Sequence, residues 1–345
     1  RSQQKPFMSL DNRYGMYREK TIRRYDYNSD FLLKYNKLWD RFGVTAAFGG
    51  SVLRNKYYST TITASQLSSE GPGMYSFANA AVASHVAYRS NRQTNSLYGF
   101  VNLSWDDTYF LDVTARNDWS STLAPSNWSY FYPSVSASIL LDKAFKINSP
   151  HVNMIKLRGS WAQVGNDTSV FSLYDDYSTT DYPAAHAAYG RNYPYILPEK
   201  TSSWEVGLET KFLGNRLNVD VALYKTSTRN QIISAETSTE TGSTSRKMNA
   251  GLITNKGVEV TFRMVPVRTK DINWEINGNW SLNKNKLNEL QNGWIRNAVA
   301  DLDLDAIGSR IFVYSYVGKS MHQLYSASHY EYAPEGSTYT DENGN

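Results

Sequence analysis

Apolar and polar residues alternate one for one through run after run of this chain, a pattern that only a β-strand with two unlike faces satisfies. In Tyr109-Phe110-Leu111-Asp112-Val113-Thr114-Ala115-Arg116 the odd positions are apolar and most even positions polar. Ile155, Leu157 and Trp161 alternate with Lys156, Arg158 and Ser160; Trp204, Val206, Leu208 and Phe212 with Ser203, Glu205, Glu209 and Lys211. Val258, Val260, Phe262 and Met264 alternate with Glu259, Thr261 and Arg263, and Ile272 to Leu282 repeats the pattern with Trp274 and Trp280. Each run is about 10–13 residues, longer than the common soluble strand and matched to a tilted strand crossing a bilayer.

The links sharpen this reading. The pattern predicts strands near Tyr27–Leu38, Phe42–Leu53, Thr94–Trp105, Tyr109–Asn117, Tyr132–Leu141, Asn153–Val164, Ser202–Phe212, Arg216–Ser227, Ile253–Val265, Ile272–Lys284 and Ile307–Val317. Short links at Trp39–Arg41, Asp106–Thr108, Asp142–Val152, Leu213–Asn215 and Pro266–Asp271 then alternate with long ones at Arg54–Gln93, Asp118–Phe131, Gly165–Thr201, Thr228–Leu252 and Asn285–Ala306. Tight turns on one side and long loops on the other are the signature of an up-and-down transmembrane barrel; a soluble sandwich has no reason to sort its loops. About eleven strands make half of a 22-stranded barrel. Single-chain bacterial barrels have even strand numbers, and an open run would leave two unpaired edges in lipid. The chain is therefore expected to be part of a longer closed barrel, with signal peptide, plug and terminal strands lying outside residues 1–345. The opening Arg1-Ser2-Gln3-Gln4 carries no leader pattern.

Composition agrees. The 26 Tyr and 9 Trp among 345 residues suit interfacial girdles. No apolar run approaches the roughly 20 residues of a spanning helix. Cysteine is absent, which removes disulfides and thiolate chemistry. A net charge of +4 with dispersed Lys and Arg points away from nucleic acid. The five histidines, His85, His151, His186, His322 and His329, are scattered, and no Gly-x-Ser-x-Gly elbow, P-loop or HExxH motif occurs, so no catalytic residue is assigned.

Several segments resemble the SusC/RagA family of TonB-dependent transporters. They are Tyr98-Gly99-Phe100-Val101-Asn102-Leu103-Ser104-Trp105; Tyr109 to Asp118; Tyr132-Pro133-Ser134-Val135-Ser136; Leu157-Arg158-Gly159-Ser160-Trp161 through Val164-Gly165-Asn166; Trp204-Glu205-Val206-Gly207-Leu208-Glu209; Asn255-Lys256-Gly257-Val258-Glu259; and Val317-Gly318-Lys319-Ser320. Phe100 and Val101 depart from the family's usual Arg, and Trp119 from its usual Gly. The resemblance implies an outer-membrane importer of oligosaccharides or oligopeptides in a bacterium of Bacteroidota type. A SusD-like lipoprotein would serve as lid, and TonB would be engaged through an N-terminal region outside this chain.

Two groups of residues are candidates for contact with solute. Asp112, Arg116, Lys156, Arg158, Glu205, Glu209, Lys211, Glu259, Arg263 and Glu275 should face the lumen, because a charge at the lipid midplane costs about 2–4 kcal/mol; they would meet a plug or passing solute, or pair across strands. In the long loops Trp119, Trp128, Tyr130, Asn166, Asp167, Tyr174, Tyr177, Tyr182, Tyr189, Tyr193 and Tyr195 offer rigid aromatic faces beside polar groups, suited to sugar rings or peptides. The same rings also suit membrane-interface anchoring or packing against a lid. Asp341-Glu342-Asn343-Gly344-Asn345 fits either the start of a structural Ca²⁺ loop or an Asx turn. No other cofactor is expected. The rival readings are a passive porin and a soluble all-β glycan-binding protein.

Overall fold

The computed structural model describes residues 2–4, 15–67, 74–174, 193–236, 245–290, 296–304 and 309–326. Among these it is almost entirely antiparallel β-structure, in two compact units.

The first unit holds the described residues up to Ser138 together with Val164–Tyr174 and Pro194–Pro198. Strands β1 (Ser2–Gln4), β2 (Met16–Trp39), β3 (Phe42–Leu67), β4 (Ala80–Trp105), β5 (Tyr109–Ser120) and β6 (Ser129–Leu140) follow one another in chain order. Short turns join them at one end because Asp40, Asp106 and Asp107 take positive φ values of 45°, 54° and 46°, a region Asp tolerates better than most residues.

The link expected at Arg54–Gln93 is largely strand. β3 and β4 each run 26 residues and pair from Phe42↔Trp105 to Leu67↔Ala80. β2 likewise begins at Met16, well before Tyr27. At about 3.3 Å per residue these strands reach on the order of 85 Å, far beyond a bilayer. The extension was illegible because Tyr58, Ser59, Thr60, Thr61 and Thr63 put polar groups on both faces: both meet water, so alternation vanishes while pairing persists. A small cluster of Tyr17, Ala64 and Leu67, packed by Tyr75 and Phe77, closes its far end.

The second unit contains Ile139–Gln163, Tyr193 and the described residues from Glu199 onward. One helical turn, α1 (Leu141–Ala144), occupies the third short link, where Asp142 Oδ1 accepts from the Ile155 amide at 2.9 Å. Strands β7 (Val152–Asn166), β8 (Glu199–Phe212) and β9 (Leu217–Arg229) come next. The turn at Leu213–Arg216 has φ of 55°, 64° and 63° at Leu213, Gly214 and Asn215, and Asn153 Oδ1 accepts from the Gly214 and Asn215 amides.

One expectation is filled in here and another is corrected. The long link Thr228–Leu252 holds a hairpin, β10 (Ile232–Glu236) with β11 (Ser245–Asn249), that stands apart from the main sheet. After β12 (Leu252–Arg268) and β13 (Asn273–Glu289), the wall strand expected at Ile307–Val317 is not a wall strand. β15 (Ser309–Tyr316) pairs instead with β14 (Arg296–Leu304) and β16 (Gln323–Ser326) in a separate three-stranded sheet. Its alternation is genuine, but β14, hidden in the supposed long loop, takes one edge and β16 the other. Gly318, at φ 86°, ties this sheet's end to β13: its amide donates to Leu287 O at 2.7 Å.

Within each unit the sheet has two unlike faces. In the second, register puts Val206, Leu223, Val258 and Leu282 in one row, then Leu208, Val221, Val260 and Trp280, then Thr210, Val219, Phe262 and Gly278, then Phe212, Leu217, Met264 and Ile276. Trp274 lies beyond them toward the short turns. From Trp274 to Leu282 this apolar belt spans about 27 Å along the strand, close to the height of a lipid-facing band once tilted. Gly278 is required in the belt, since a Cβ there would lie 2.3 Å from the Phe262 ring. In the first unit Leu33, Phe48, Leu97, Val101, Val113 and Phe131 form the corresponding exposed apolar face.

Candidate functional site

The opposite, polar face carries the charged residues singled out from the sequence, knitted into short networks. In the first unit Arg116 Nε donates to Asp118 at 2.8 Å, and its Nη2 to Ser96 at 2.9 Å. The guanidinium lies 5.5 Å over the Tyr98 ring, and the Tyr132 hydroxyl donates to Asp118. Asp112 accepts from Asn102 and, at 3.2 Å, from Ser136. In the second unit Arg158 grips Asp220 through both terminal nitrogens at 3.0 and 2.9 Å and reaches Glu205 at 3.5 Å. Gly207 makes room for it, because a Cβ there would sit 2.5 Å from the guanidinium carbon. Lys211 pairs with Glu209 at 3.2 Å, and Arg263 with Glu275 at 2.6 Å. Glu259 stands exposed on this face.

At the long-link end of the first unit, the segment following β7 is fastened by one carboxylate. Asp167, its side chain 4% exposed, accepts from Arg92 Nη2 at 2.7 and 2.8 Å, from Thr122 at 3.0 Å and from Ser120. Its lone pairs are thus satisfied within the fold. Tyr130 is buried too, stacked on Tyr132 with centroids 5.9 Å apart and pressed against Gly165, where a Cβ would lie 2.4 Å from its ring. Asn127 Nδ2 donates to Tyr195 O at 3.1 Å, drawing the 194–198 segment onto the same platform.

Above this platform lies a cavity of about 690 Å³, within the range of small-ligand sites. Its walls are the rings of Trp119, Trp128, Phe171 and Tyr174 with the amides of Asn91, Gln93 and Asn95. Sequence reasoning found Trp119, Trp128 and Tyr174; it missed Phe171 and the three amides, of which Asn91 and Gln93 lie on the strand extension read as loop. Strand parity sets Asn91, Gln93, Asn95 and Trp119 on the face that continues Leu97, while Arg92, Thr94 and Ser96 lie on the polar face. The cavity therefore opens on the apolar face of the first unit, beyond Leu97 toward the long-link end.

The remaining candidates fall elsewhere. Asn166 is exposed at the end of β7. Tyr193 belongs to the second unit, where Arg246 lies 5.6 Å over its ring. Tyr177, Tyr182, Tyr189 and Asp341 lie outside the described residues. Among the described residues no group of three His, Asp or Glu side chains could hold a metal ion.

A family model described as TonB dependent receptor-like, beta-barrel matches residues 3–345. Among curated proteins, a TonB-dependent receptor of Formosa agariphila is 25% identical over 308 residues, covering 85% of this chain and 31% of its own length. The TonB-dependent receptor SusC of Bacteroides thetaiotaomicron is 26% identical over 243 residues, covering 65% of this chain and 24% of SusC. The chain spans under a third of the length of the curated relatives it matches. Among solved structures, the RagAB peptide transporter superposes with a TM-score of 0.74 at 19% identity, over 88% of this chain and 34% of that one. The copper transporter OprC gives 0.53 at 14%, over 92% and 49%. These likenesses carry the fold.

Proposed function

We infer function from one premise, that this chain belongs to the TonB-dependent receptor-like β-barrel family, and propose that it forms wall and rim of an importer of oligosaccharides or oligopeptides. Its place is the bacterial outer membrane. The apolar belt would face lipid, and the polar face, with Asp112, Arg116, Arg158, Glu205, Glu209, Glu259 and Arg263, would line the lumen beside a plug. Energy would come through TonB, and a SusD-like lipoprotein would close the extracellular side. The names of two relatives frame the solute class: SusC on one side, a peptide transporter on the other.

The observation that carries the reading is the rim cavity. Flat rings present large rigid contact area at low entropic cost, and amide side chains both donate and accept, which suits hydroxyl-rich sugars and peptide bonds alike. The Arg92–Asp167 clasp keeps the Phe171–Tyr174 wall in place. Lying past the apolar face of the first unit at its long-link end, the cavity would meet solute on the extracellular side. The ion-paired polar face would let it pass without a deep trap. Nothing in this scheme calls for covalent chemistry.

Calorimetric titration of the intact detergent-solubilised protein with a panel of oligosaccharides and oligopeptides tests the proposal. One class should bind, and Trp119→Ala and Trp128→Ala should each weaken it by up to about tenfold, the scale of one lost aromatic contact. Wild-type affinity in both variants would remove the cavity from solute recognition.

A further inference from the structure

On the belt's face of the second unit, the row next to Val206–Leu223–Val258–Leu282 on the long-link side reads Trp204, Lys225, Lys256, Lys284. Lys256 is register partner to both other lysines, so three ammonium groups stand side by side across three strands. The following row reads Ser202, Ser227, Thr254, Lys286, and the one after it begins Lys200, Arg229. All six cations are exposed. No carboxylate stands in the first two of these rows; Glu289 enters only in the third, opposite Leu252 at a register irregularity. Glu205 and Glu259 are on the other face. Directly opposed like charges destabilise a sheet, and among the described residues none of Lys225, Lys256 and Lys284 forms an ion pair. A shallow depression of about 470 Å³ lies among Trp204, Leu223, Lys225, Lys256 and Lys284, and Glu205 also borders it.

We propose that this lysine row binds the phosphate of an outer-leaflet lipid headgroup. The argument joins two observations. The lysines continue an apolar belt without a break, so whatever sits on them has acyl chains or an apolar surface directly below. They also concentrate positive charge where the strands leave the hydrocarbon, beside an indole of the kind that marks a membrane interface. A phosphorylated lipid satisfies both: its chains lie along Leu223, Val258 and Leu282, and its phosphate offsets the repulsion among the three ammonium groups. The long links put this end at the extracellular side, hence the outer leaflet. This inference rests on the outer-membrane reading but not on which solute is carried.

Native mass spectrometry of the intact protein with monophosphorylated lipid A, its dephosphorylated counterpart and inorganic phosphate tests it. The phosphorylated lipid should be retained. K225Q/K256Q/K284Q should weaken that retention on the order of 100-fold, from about fivefold per cation near an anionic surface. The triple arginine variant should stay within a few-fold of wild type, and added salt should weaken binding to the wild type. Equal retention of the dephosphorylated lipid, equal binding of inorganic phosphate alone, or insensitivity to both the glutamine triple and salt would overturn the proposal. So would loss of an acidic partner protein from the glutamine triple with lipid binding unchanged. Heat-dependent gel mobility checks folding of each variant, and a wild-type protein lacking it would instead count against the membrane reading.

Discussion

Asp167 shows how much one side chain can decide. The sequence marks Asn166-Asp167 as polar residues in an aromatic loop, and a ligand contact is a natural expectation. The fold surrounds the carboxylate with Arg92, Ser120 and Thr122, so its first task is to hold the loop. Arg92 lies 75 positions away in sequence, and no local pattern could pair them. Breaking such a pair leaves the cation without its partner. Since Arg92 remains 39% exposed, water recovers part of the loss, and Asp167→Ala should cost about 2 kcal/mol rather than the 3–5 of a fully buried pair. The loss should be local. Hydrogen exchange at Thr168–Tyr174 should quicken by one to two decades while mid-strand amides of β4 and β5 stay protected. Unchanged exchange at Thr168–Tyr174 would show that other contacts hold the loop.

At the scale of elements, alternation gave the wall strands their positions and their two faces, because lipid and water impose opposite demands on adjacent residues. It failed where both faces meet the same medium, in the upper halves of β2, β3 and β4. It misled at β15, where the right period belongs to another sheet. The belt itself allows a direct check. Val221 lies between Leu208 and Val260 in the middle rows, while Glu259 projects from the polar face. Val221→Arg should destabilise the folded protein in bilayers by about 2–4 kcal/mol, and Glu259→Arg by under 1 kcal/mol, as read from denaturant midpoints in vesicles. Equal costs at the two positions would mean that the faces are assigned the wrong way round.

The whole molecule is the scale at which the proposed transport would operate. If it belongs to an energised importer, uptake of the bound solute by cells should stop when an uncoupler collapses the inner-membrane proton gradient, while solute binding at the rim persists. Uptake that continues would favour the passive pore. By itself the sequence determined the all-β class, the membrane-matched period, the sorted links and the family, because each is written in local spacing or in order along the chain. Only the tertiary structure decided that Asp167 closes on Arg92, that Asn91, Gln93 and Asn95 join Trp119 in one cavity, and that Lys225, Lys256 and Lys284 form a row. Those are facts of register. Period two fixes which face a residue takes but not which residue on the next strand stands beside it.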